Sequence, residues 1–167
     1  MKKGATFLER FEGWFCEPIE KLRTCCPEGN GGYLAMSAAL YLCERYYRTV
    51  TNTHEWEARK DGNSFLQAAA GDLNVDPEDF RIFWTVYRHG IQHQGMPRRM
   101  EEKGITYIWQ MSNDFPAIPT FVQINPITKA IRIEPWKFAE LIISKYRNNP
   151  DVLQKATEHA FGEVILY

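Results

Sequence analysis

Near the middle of this chain an arginine and two histidines stand in the run Arg88-His89-Gly90-Ile91-Gln92-His93. An imidazole titrates near neutrality, so it can take a proton from one oxygen and return it to another. A guanidinium stays charged and can grip a phosphate through two parallel hydrogen bonds. Together these groups are the minimum set for breaking a phosphodiester without a metal. A base activates a ribose 2′-hydroxyl, an acid protonates the leaving oxygen, and a fixed cation stabilises the phosphorane. On this reading the catalytic residues are Arg88, His89 and His93. His93 shuttles the proton, Arg88 stabilises charge, and His89 orients the phosphate or completes the acid–base pair. Arg98 and Arg99, a few residues on, are candidate substrate-binding cations.

The element that must position these side chains is a helix. Asp76 is its expected N-cap, with Pro77 at the first position and Glu78 and Asp79 at the positive end. The pattern continues to about His93, where Gly95 and Pro97 stop it. At 100° per residue from Phe80, the side chains of Phe83, Trp84, Tyr87 and Ile91 form a core stripe. His89 and His93 fall on the opposite side, at about 180° and 220°. Ile82 and Val86 flank them at about 200° and 240°, so this second face is expected to be covered as well. A second copy of the chain is the expected cover, with Ile82 and Val86 in the dimer seam and two histidine faces sharing a cleft. Arg88 projects at about 80°, off that face, and has to reach round.

Two other readings use the same residues. In one, the histidines are partly buried and hydrogen-bonded while Arg88 pairs with a carboxylate. In the other, His89 and His93, one turn apart, share a zinc. Gly90 stands where the zinc-protease motif has glutamate, and a third ligand would have to come from Cys25, Cys26, His54 or a distant carboxylate. No metal or cofactor is expected. Glu44 and Arg45 form a candidate supporting pair for the motif, although a solvated helix face is the favoured explanation. Trp56, Trp109 and Trp136 are read as core residues ahead of stacking platforms for bases.

Arg88-His89-x3-His93 resembles the signature of the HEPN superfamily: an arginine, then Asn, His or Asp, a short spacer and a histidine near the end of a long helix. The likeness in layout covers roughly the first 95 residues, and in identity only the motif. It implies a helical bundle of four or five helices, a homodimer with the motif at its cleft, and metal-independent RNA cleavage leaving a 2′,3′-cyclic phosphate. The settings it implies are toxin–antitoxin, phage-defence or CRISPR-linked systems, with an antitoxin or regulatory protein as a further partner. The alternative it leaves is a non-catalytic dimeric module that binds RNA, a nucleotide or a protein. Gly95 occupies the place of a tyrosine found in some such toxins, so adenylylation there is unavailable.

The 167 residues, 44% hydrophobic and 14% aromatic, suffice for one folded domain. A net charge of -1 argues against a general phosphate-gripping surface and leaves room for a basic cleft. No signal peptide or membrane-spanning run is visible, which predicts a cytoplasmic protein with its four cysteines reduced. Periodicity predicts helices over 5–22, 33–50, 64–73, 76–93, from Pro135, and from Asn149 to about Ala160. The loop from Thr24 to Gly32 ends the first. The stretch Thr51–Asn63 is polar, and the apolar tail Val164–Tyr167 is expected to pack. Alternation over 105–111, 120–124 and 130–134 predicts a small three-stranded antiparallel β-meander added to a mainly α bundle. The expected organisation is a motif-bearing bundle over 1–97, loop and meander over 98–134, and closing helices over 135–167.

Overall fold

The computed structural model describes residues 6–26, 31–53 and 64–161. His54, Trp56, most of the polar stretch after Thr51, part of the loop after Thr24, and the tail Val164–Tyr167 lie outside these residues. The first helix, α1, comprises Phe7–Phe11, a π turn Glu12–Cys16, and Glu17–Cys25. A reciprocal capping box starts it: Glu9 N–H donates to the Thr6 hydroxyl, and Thr6 N–H to the Glu9 carboxylate. Then come α2, Gly32–Val50, and α3, Ser64–Asp72. Helix α4 is Pro77–Trp84, a π turn Thr85–His89, and Gly90–Gln94. The Asp76 carboxylate accepts from the N–H groups of Glu78 and Asp79, and Gly95, at φ 72°, ends the helix in a left-handed turn. Helices α5, Pro135–Asn148, and α6, Pro150–Phe161, close the chain.

Helix α2 is the hub. Its buried side of Met36, Ala39, Leu40, Leu42 and Cys43 packs on α5, where Phe138 and Ile142 are fully enclosed and the Tyr146 hydroxyl donates to the Leu42 carbonyl at 2.8 Å. Helix α4 adds Phe80, Phe83 and Tyr87 to the same core. Ile82 and Val86 also belong to it, 3% and 0% exposed within this single chain. The second apolar face of α4 is therefore covered from inside, and these two residues do not form a dimer seam. Among the described residues, no helix is long and apolar enough to cross a membrane.

The strands differ from the expected meander. They are β1, Met100–Glu102; β2, Ile105–Met111; β3, Thr120–Asn125; and β4, Thr128–Ile133. They form one mixed sheet in the order β1-β2-β4-β3, with β4 parallel to β2 and antiparallel to β3. Burial explains the order. Ala130, Ile131 and Ile133 of β4 are 0% exposed and need neighbours on both sides, whereas β3 is open along much of its length and suits an edge. The connection 112–119, with Pro116 and Pro119, is too long for a tight hairpin. It carries the chain over the end of β4, where the Pro116 carbonyl accepts Glu134 N–H at 2.9 Å. Strand β1 falls in the stretch expected as loop. Lys103 and Gly104, at φ 50° and 76°, make a two-residue turn whose consecutive left-handed residues suit a hairpin.

Tyr87 joins the motif helix to this sheet. Its buried hydroxyl lies 3.0 Å from the Gln110 carbonyl and 2.9 Å from that of Ile131. Tyr87→Phe keeps the packing and removes the link, so urea unfolding should show a loss of about 1–2 kcal/mol. An unchanged midpoint would show that packing alone holds helix and sheet together.

Candidate functional site

A straight helix puts Arg88 to one side of the histidines. The π turn at Thr85–His89 spreads five residues over the turn and changes the phase of everything after it. Two local bonds accompany it. The Thr85 hydroxyl donates to the Arg81 carbonyl at 2.9 Å, and the Val86 carbonyl accepts Arg98 N–H at 2.9 Å from the returning chain. In this helix Arg88 points inward and is 8% exposed, while His89 and His93 face solvent. Their rings lie 6.2 Å apart, edge to face.

Inward, Arg88 meets α2. Its Nε and Nη2 donate to Glu44 Oε2 at 3.1 and 3.0 Å, its Nη1 donates to Gln92, and its guanidinium lies 4.2 Å over the Tyr41 ring. The other oxygen of Glu44 takes Arg48 Nε at 3.0 Å, and Arg48 stacks 4.1 Å over Phe65 of α3. One carboxylate thus serves two enclosed guanidiniums, and Arg48 Nη1 stays buried without a partner. Arg88 is committed to holding α2 against α4, so its charge reaches the histidine face only through space. Of the two residues expected to support the motif, Glu44 touches Arg88 and Arg45 does not. Arg45 turns to α6 and donates to the Ala156 carbonyl at 3.2 and 2.9 Å.

Of the cations whose charge acts on His89, Arg98 weighs most. Gly90 brings it close, because the chain returning from α4 lies directly on the helix at this point. A Cβ on Gly90 would stand 2.5 Å from Arg98 N, 2.8 Å from the Met96 carbonyl oxygen and 2.8 Å from Pro97 Cα. Arg98 is half-buried, and its Nε is buried without a partner. Although His89 is exposed as a residue, partial desolvation of its ring lowers its pKa below the ordinary imidazole value. The charges of Arg98, Arg88 and His93 add to that shift, and Glu44 opposes it. Arg99 is placed elsewhere, exposed on the sheet edge and paired with Glu101 at 2.8 Å. Among the described residues, no group of three His, Cys, Asp or Glu side chains comes together as a metal site.

The site therefore offers one imidazole biased to its neutral form, a second imidazole on the same open face, and a half-buried guanidinium whose charge acts on the first. Sequence reading missed Tyr41, Arg48 and Gln92 as parts of it. Gln92 stands four residues after Arg88, and Gly90 sits in a helix just before a proline-containing return; both are signals for close contact. No family model, curated protein or solved structure matches the chain.

Gly90→Ala forces the 96–98 segment off the helix. The expected result is a loss of about 1–3 kcal/mol in unfolding experiments, with the His89 resonance titrating closer to the ordinary imidazole range as Arg98 moves away. Wild-type values for both would show that the close approach does not set the site.

Proposed function

We propose that the chain is a HEPN-like, metal-independent endoribonuclease. The observation that carries the reading is the pair of solvent-facing imidazoles 6.2 Å apart, one with a lowered pKa to which Arg98 contributes. Neutral His89 accepts the proton of a ribose 2′-hydroxyl. The 2′-oxygen attacks the adjacent phosphorus, and the bond to the 5′-oxygen breaks. His93 gives a proton to that leaving oxygen, so the products are a 2′,3′-cyclic phosphate and a 5′-hydroxyl, with no net redox change. Arg98 faces the charge that grows on the phosphorane. Arg88 is a positioning residue, which turns the helix so that both histidines point outward. These roles differ from those expected of the motif alone, where Arg88 stabilises the charge on the phosphorane and His93 shuttles the proton.

The reading extends to the assembly and its setting. A second copy of the chain shares the cleft, an antitoxin or regulatory protein controls it, and toxin or phage-defence action in the cytoplasm is the context. Support for a second copy comes from α2, where Leu34 and Tyr41, 64% and 48% exposed, lie two turns apart on the side that meets Arg88. All four cysteines are free, and burial pushes the Cys16 thiol up to about 12, so it stays protonated and unreactive.

Purified protein incubated with total RNA in excess EDTA should leave 2′,3′-cyclic phosphate ends, and His93→Ala should leave none while remaining folded. The acidic limb of the rate should follow deprotonation of His89. Activity rises with pH through a midpoint below the roughly 6.5 of free imidazole, because only the neutral ring accepts a proton. Intact RNA with retained binding would replace the nuclease with a binding module.

Leu34→Asp should convert a dimer to monomers in sedimentation velocity, with the helical circular dichroism unchanged. A monomeric wild type would remove the second copy from the reading.

A further inference from the structure

Away from the histidines, a cavity of about 350 Å³ opens where the start of α2 crosses β2. Its floor is Gly32 and Pro135, which are so close that a Cβ on Gly32 would meet Pro135 Cγ at 3.0 Å. That approach sets the half-buried Tyr33 beside Trp109, ring centroids 5.9 Å apart and edge to face. Met111 lies on the same side of β2 as Trp109, and Ser112 and Asn113 form the lip. The lip loop is held from below, since the Lys137 ammonium donates to the carbonyls of Asn113 and Phe115 at 3.1 and 3.2 Å.

We propose that this cavity seats an unpaired nucleobase of the RNA strand that the histidine site cuts; the inference rests on the nuclease reading. No lining side chain carries a charge, so the cavity selects a neutral group and leaves phosphates to the cationic face. Two aromatic rings and a thioether offer flat, polarisable surface for a ring. The hydroxyl of Ser112 and the amide of Asn113 both donate and accept, which matches the mixed polar edge of a base. Along α2, Tyr33 lies eight residues before Tyr41, the ring under Arg88, or about 12 Å of helix. A strand seated in the cavity therefore starts about 12 Å along α2 from the contact that turns the histidine helix.

The test is binding of a 2′-O-methyl RNA hexamer, which cannot be cleaved, followed by tryptophan fluorescence and fluorescence anisotropy. Wild type should bind with quenching. Trp109→Ala should bind about tenfold or more weakly, and Trp109→Phe should keep most of the affinity, which separates stacking from loss of fold. Asn113→Ala, an exposed change, should weaken binding and alter preference among bases. Equal affinity of Trp109→Ala and wild type, equal binding of an abasic hexamer, or capture of an oligoproline peptide in place of RNA would each overturn the proposal. Cleavage by wild type with unaffected Trp109→Ala binding would remove the base pocket and leave the nuclease standing. Trp109-dependent binding without cleavage would do the reverse.

Discussion

A single carboxylate, that of Glu44, lies between two guanidiniums that water hardly reaches. The side chains of Arg48 and Arg88 are 7% and 9% exposed, and that of Glu44 15%. Two cations at such burial are tolerable only with a counter-charge in hydrogen-bond contact, and breaking such an arrangement costs on the order of 3–5 kcal/mol. The requirement brings α2, α3 and α4 together at one point, because Arg48 also covers Phe65 and Arg88 covers Tyr41. It also fixes which way α4 is turned. With Arg88 held inward, the residues next to it and one turn further on have to face out. The chemistry of the histidines thus depends on an ion pair that takes no part in it.

Much of the helical frame is legible in the chain, because the signals are local. Asp76-Pro77 marks the start of α4, Glu134-Pro135 the start of α5, and each helix follows its own apolar spacing. The strands are visible as alternation, yet alternation says which face a residue takes and nothing about which strand lies alongside. The order β1-β2-β4-β3 follows from a competition for the buried centre, which β4 wins with Ala130, Ile131 and Ile133. That comparison is between segments and leaves no mark on any one of them.

The site was harder to read for the same reason. Nothing in Thr85–His89 breaks a helix, so a straight projection is the natural expectation; it leaves Arg88 off the histidine face, reaching round to the phosphate, and puts Ile82 and Val86 at a seam. The π turn arises with a bond from a residue outside the helix, Arg98 N–H to the Val86 carbonyl. The partner of Arg88 is 44 residues away in α2. Spacing reports neighbours within one helix, and here the deciding contacts come from two other places in the chain. Gly90 is the exception: a residue without a side chain at the point where the chain folds back on itself leaves room for backbone and little else.

The placement of β4 has a consequence for the order in which the protein is assembled. The strand that separates β2 from β3 is the last of the four to leave the ribosome, so β2 lacks its parallel neighbour until residue 133 has emerged. The Ile131 carbonyl that receives the Tyr87 hydroxyl arrives at the same time. The helix bearing the histidines therefore has only the Gln110 half of its lateral brace until about forty residues of synthesis after it is made. A nascent chain of that length carries the whole motif before the sheet beside it is complete.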